Sequence, residues 1–173
     1  MAEYKNVEKP FLEKLRDLDW CIIDQGSFGI PQDPAKSLRT SFKEVTLKQE
    51  FIKAVRKINT VDGVEWLTDK QLEDLYKETI ATEKANLSLL EANKQVFEKL
   101  IGVTKTTVAK NEVTGEENPL VKLIDFKNWD NNAFVAINQF RILTPGGPRA
   151  GIIPDIVLFV NGLPFSVVEC KDV

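Results

Sequence analysis

Gly151-Ile-Ile-Pro-Asp155-Ile-Val-Leu-Phe-Val160-Asn-Gly-Leu-Pro-Phe165-Ser-Val-Val-Glu169-Cys-Lys171 is the stretch on which the reading of this chain turns. Ile152 to Val160 and Pro164 to Val173 are apolar runs of strand length, joined through Asn161-Gly162-Leu163, a hairpin signal. Three charged residues, Asp155, Glu169 and Lys171, interrupt them. An unpaired charge on a buried strand costs on the order of several kcal/mol, and function is the usual reason for keeping one.

Side chains alternate along a strand, so Glu169 and Lys171 share a face and Cys170 points the other way. The turn decides whether Asp155 joins them. A bare two-residue Asn161-Gly162 turn sets Asp155 against Val168, on the wrong face. A three-residue loop over Asn161-Gly162-Leu163, or an equivalent bulge, sets it against Glu169. The second arrangement is expected, although Asn-Gly favours the tight turn.

Upstream, Val7, Phe11, Leu12, Leu15 and Leu18 recur at helical spacing, and Trp20 to Ile23 reads as a short buried strand. Asp24 to Ser37 is loop. Leu47, Phe51, Ile52, Val55 and Ile58 form one helical stripe, and Thr68 to Gln71 reads as a capping box opening a second helix. A third is expected from about Thr82 to Leu100, with Leu87, Leu90, Val96, Phe97 and Leu100 turned into the core. Strands are expected at Val103–Ala109, Leu120–Phe126 and Phe134–Leu143, with a loop at Pro145-Gly146-Gly147-Pro148. Helices followed by a mainly antiparallel sheet make the fold class α/β in the loose sense, or α+β.

The bulk composition narrows the chemistry. At 173 residues the chain suits one domain, and 43% hydrophobic with 28% charged residues suits a packed core. There is no histidine, which removes histidine triads, histidine metal sites and imidazole acid–base catalysis together. The net charge of −3 lacks the basic footprint of most nucleic-acid binders, so any DNA contact has to be local or supplied by partners. Cys21 and Cys170 are expected as buried thiols without a disulfide. Met1 to Pro10 is no signal peptide, and no apolar run approaches the ~20 residues of a membrane span, so a cytoplasmic location is expected.

With the expected register, two carboxylates and one ammonium converge. Two close carboxylates repel unless a proton or cation lies between them, and an all-oxygen site suits Mg²⁺ or Mn²⁺ better than zinc. Such a site fits phosphodiester hydrolysis, with Lys171 orienting water or neutralising the phosphate. A plain salt bridge at a sheet edge is the alternative, since the isolated pattern is short and common. The apolar setting, the Pro154-Asp155 start and the connecting hairpin weigh against it. Gln139 is a further candidate, placed to hydrogen-bond near the site or to cap sheet contacts, with the sheet role favoured. Arg141 and Arg149, flanking the Pro-Gly loop, are candidate phosphate contacts. Asp125 and Asp130 read as strand-end and turn residues.

Pro-Asp followed across a hairpin by Glu-x-Lys resembles the PD-(D/E)xK nuclease motif. The wider chain resembles the N-terminal nuclease domain of the type I restriction enzyme R subunit, through Val7-Glu8, Leu15 to Trp20, Leu38 to Ser41, Ala133 to Phe140 and the hairpin Pro154 to Lys171. The resemblance implies a restriction-endonuclease-like fold, a central mixed sheet whose catalytic antiparallel hairpin is flanked by helices. It implies that Asp155, Glu169 and the backbone carbonyl of Cys170 hold Mg²⁺ (Mn²⁺ substituting), with Lys171 catalytic. Glu8 matches a glutamate that can approach the metal, a solvated glutamate in a first helical turn being the alternative. Double-stranded DNA would be cut after ATP-driven translocation by a motor outside this sequence, in a complex with methylation and specificity subunits. Neither a Gln-x-x-x-Tyr element nor a phosphate-binding loop occurs before Val173, so the expectation is a single domain over 1–173, cut short just after the catalytic strand. A catalytically silent module on the same fold, for DNA guiding or subunit docking, is the rival, and a standalone nuclease of another type the third possibility.

Overall fold

The computed structural model describes residues 3–27, 29–81, 88–102, 106–143 and 151–171. The chain divides into two compact units, one of Met1–Gln49 with Ala133–Val173, the other of Glu50–Asn132. Fold class follows the sequence expectation: helices with a mixed four-stranded sheet.

In the first unit, a π-helical turn at Tyr4–Glu8 runs into α1 (Lys9–Asp17). The sheet follows in the order β1 (Cys21–Ile23), β2 (Phe134–Asn138), β3 (Ile156–Val160), β4 (Leu163–Val168). β1 runs parallel to β2, and the other pairs are antiparallel. Both faces are covered, which is why the central strands read as continuous apolar runs. One face buries Ala136, Ile156 and Cys170 with Leu12 and Leu15 of α1. The other buries Val135, Ile137, Val157 and Phe159 with Leu47 and Phe140. Truncating a core ring such as Phe159 to alanine would cost about 3–5 kcal/mol. Cys21 departs from expectation: it is exposed, because it opens a strand at the sheet edge.

The hairpin corrects one half of the register expectation and supplies the other. Val160 pairs with Leu163, so the loop is the tight two-residue turn. Asn161 and Gly162 both take positive φ, 49° and 75°, as a type I′ turn requires. The odd residue enters further along: Phe159 pairs with Pro164 and Leu158 with Ser166, leaving Phe165 as a bulge. Pro164 has no N–H to give the ladder, which makes this the place where pairing yields. Beyond the bulge Ile156 pairs with Val168, and the same register carried one step further sets Asp155 across from Glu169.

In the second unit, α2 (Lys48–Ile58) leads into α3 (Asp69–Ile80) and α4 (Leu89–Leu100). Phe51 and Tyr76 meet at 5.4 Å in its core. Both bonds of the expected capping box at Thr68 and Gln71 form, and a second box at Ser88 and Glu91 opens α4. Residues 82–87, which the expected helix also covered, lie outside the described residues. Leu90 and Phe97 do not turn inward: they are 79% and 58% exposed. Amphipathic spacing reports a capacity to pack: Val96 and Leu100 are half-buried, and Lys99 of α4 bonds Glu78 of α3. The strands expected around 103–109 and 120–126 shrink, among the described residues, to isolated bridges, Thr107 with Leu120 and Lys110 with Glu117. Asn59 explains part of this, since its side chain takes both the N–H and the carbonyl of Lys122 and so occupies that stretch of backbone. Asp125 accepts the N–H groups of Lys127 and Asn128 and is a turn residue, as read. No helix among the described residues is long and apolar enough to cross a membrane.

Candidate active site

β2 ends abruptly, and that ending organises the site. Gln139 takes a left-handed φ of 49°, rare for a residue with a Cβ and frequent where function holds strain. Its N–H donates to the Asp155 carbonyl at 2.8 Å, and its side-chain Nε2 donates to Glu8 Oε2 at 3.2 Å. Gln139 therefore does more than serve the sheet. Asn138, one residue earlier, donates from Nδ2 to Glu8 Oε1 at 2.8 Å.

Glu8 is 2% exposed, so the first-turn carboxylate is not a solvated one. Burial pushes its carboxyl above the usual range, the two amide bonds pull it down, and Asp155 and Asp24 push it up again. The Tyr4 hydroxyl donates to Asp24 at 2.7 Å; burial and that bond raise the phenol to about 12. Asp155, half-buried, accepts the Cys170 N–H at Oδ2, 2.7 Å away. Among the described residues neither Glu8 nor Asp155 has a lysine or arginine within salt-bridge distance.

Cys170 turns its thiol into the core against Leu12 and Leu15, where burial first and nearby carboxylates second raise its pKa. Glu169 and Lys171 stand exposed beyond β4. Hydrogen bonds thus join Glu8 with Asn138 and Gln139, and Gln139 with Asp155, while Glu169 and Lys171 are exposed. Among the described residues no three histidine, cysteine, aspartate or glutamate side chains gather closely enough to hold a metal ion. Arg141 is held elsewhere: it donates to the Pro31 carbonyl at 2.8 Å and lies 4.7 Å from the Phe42 ring. Arg149 and the Pro145–Pro148 loop lie outside the described residues.

A cleft of about 250 Å³ beside the site is lined by Gln25, Gly29 to Asp33, Lys36 and Gln139. The larger cavity, about 300 Å³ in the second unit, holds none of the expected site residues and is mainly apolar. Sequence reasoning passed over Gln25 and Asn138. The signal for Asn138 was available: it is a polar residue closing an apolar strand, the observation that singled out Asp155.

Three comparisons bear on this arrangement. The family model for the N terminus of type I restriction enzyme R proteins matches residues 1–173. The type I restriction enzyme HindI endonuclease subunit of Haemophilus influenzae is 32% identical over 99% of the chain. A putative type I restriction enzyme MjaIXP endonuclease subunit of Methanocaldococcus jannaschii is 30% identical over 95%. The chain spans 15% of the length of each of these relatives.

Proposed function

Because the chain belongs to the type I restriction enzyme R protein N-terminal family, we propose that it forms the metal-dependent nuclease centre of such a subunit. The observation that carries this reading is the buried Glu8 carboxylate beside Asp155, two acids within electrostatic reach of each other and, among the described residues, with no lysine or arginine in salt-bridge distance of either. Such a pair is unfavourable unless protonated or bridged by a positive ion. The donors are all oxygens, which fits a hard cation such as Mg²⁺, with Mn²⁺ as substitute. Asp155, Glu169 and the Cys170 carbonyl would hold it, with Glu8 as a further oxygen donor. When bound, the ion supplies positive charge beside the scissile phosphate and a water of lowered pKa. Lys171 would orient the attacking water or neutralise the phosphate as the water oxygen bonds to phosphorus and the leaving-group oxygen departs. The substrate would be double-stranded DNA, delivered by an ATP-driven motor elsewhere in the subunit, with methylation and specificity subunits supplying recognition. Arg141, clamped to Pro31, contributes little to DNA contact in this reading, and the net acidic charge is consistent with affinity residing in the partners.

The exposure of Glu169 and Lys171 favours a second reading, a silent module on the same fold. Calorimetry with Mn²⁺ separates the two. The unsubstituted chain is expected to bind and Asp155→Ala to lose binding; equal binding by both, or none by either, favours the silent module.

A further inference from the structure

Asn138 is fully buried, and each polar atom of its side chain has a partner. Oδ1 accepts the Gln25 backbone N–H at 2.6 Å, and Nδ2 donates to the Gly26 carbonyl at 3.2 Å as well as to Glu8 at 2.8 Å. The Gln25 side chain completes the clasp, donating to the Asn138 carbonyl at 2.7 Å and the Gln139 carbonyl at 3.1 Å. These bonds leave the amide a single orientation. Flipped, it would turn Oδ1 toward two acceptors, Gly26 O and Glu8, and Nδ2 toward a donor, the Gln25 N–H. The hydrogen aimed at Glu8 is thus fixed by backbone groups independent of Glu8 itself. An apolar side chain would fill this strand position without any polar group to satisfy. What the asparagine adds is a directed donor to a buried carboxylate that, among the described residues, has no salt-bridge partner.

We propose that Asn138 is a positioning residue of the site, its locked amide orienting the Glu8 carboxylate so that it joins Asp155 in holding a divalent cation. This rests on the metal-site reading above. Gln139 steadies the second oxygen of Glu8, but Asn138 sets its direction, because only Asn138 is itself fixed on every side.

Mn²⁺ calorimetry on the unsubstituted chain, Asn138→Ala, Glu8→Gln and the double variant tests it. Asn138→Ala is expected to weaken Mn²⁺ binding about tenfold or more, the usual effect of removing a residue that orients a ligand. In the Glu8→Gln background the same change should cause no further loss, because the residue acts through Glu8. A purely structural asparagine would weaken both backgrounds alike, and that result overturns the proposal. So does unchanged affinity in Asn138→Ala. If Asn138→Ala does not fold, the decisive measurement moves to the unsubstituted chain. There, Mg²⁺ titration should shift the Asn138 side-chain amide NMR signals with the calorimetric midpoint, and signals unmoved at saturation overturn it. Failure of the unsubstituted chain to bind Mn²⁺ overturns the metal site and this proposal together. Binding that survives Asn138→Ala overturns the proposal alone.

Discussion

Replacing Asn161 tests how firmly the hairpin is set. Asn161 is fully buried at φ 49°; its Oδ1 accepts the Ala133 N–H at 2.8 Å, and its own N–H donates to the Ala133 carbonyl at 2.8 Å. Alanine removes the acceptor and strands a half-buried N–H, which costs about 1–2 kcal/mol. It also places a Cβ with no compensating side-chain bond in left-handed backbone, about 1 kcal/mol more. The loss should therefore be about 2–3 kcal/mol, or about 4–12 °C in melting temperature for a chain of this size. Asn161→Gly keeps the backbone freedom and forfeits the Oδ1 hydrogen bond, so it should lose about 1–2 kcal/mol. Urea unfolding of the two variants against the unsubstituted chain gives the numbers. Equal losses for alanine and glycine would refute the conformational term, and losses below about 0.5 kcal/mol in both would refute the claim that this side chain fixes the turn.

Glu8 makes the stability of the chain sensitive to pH. Its folded pKa is raised above the unfolded value, so the folded state binds the proton more tightly and this stabilisation is present in acid and lost as pH rises through the folded pKa. Glu8→Gln, which never ionises, should gain stability over the unsubstituted chain progressively from acid toward neutral pH in metal-free buffer; thermal melts that show a constant difference across pH would contradict this. The two thiols should separate in reactivity. Exposed Cys21 should react with a disulfide reagent in the native state, whereas Cys170, 4% exposed with its thiol pushed up by burial, should react only on unfolding. Equal rates in native buffer would place Cys170 outside the core.

Much of the first unit was legible because its signals are local. The apolar runs around Asp155 and Glu169 give the hairpin, while its tight Asn161-Gly162 turn stands where a longer loop or a bulge was expected. The position of the extra residue was not readable from pattern alone. It depends on where the ladder gives way, and Pro164 settles that through its missing N–H. Glu8 and Asn138, 130 residues apart in sequence, meet through the sheet, and no local period reports such a meeting. In the second unit, alternation between residues 120 and 126 suggested a strand, but a single side chain, Asn59, captures the Lys122 backbone on both sides. Leu90 and Phe97 share the α4 stripe with half-buried Val96 and Leu100 yet stand exposed, because hydrophobic spacing carries no information on whether a neighbour is present.

The way the chain returns to its sheet has a consequence for synthesis. Ile22 of β1 pairs with Ala136 of β2, 114 residues later (136 − 22), while the intervening unit, Glu50–Asn132, is one continuous stretch. On the ribosome, everything that unit needs has been made before the partner of β1 exists. At translation rates of about 5–20 residues per second, β1 waits roughly 6–23 s for its neighbour. Throughout that interval the N-terminal segment carries Ile22 and Ile23 without the strand that will cover them. The acid pair at Glu8 and Asp155 is therefore brought together only after the whole of Glu50–Asn132 has been made.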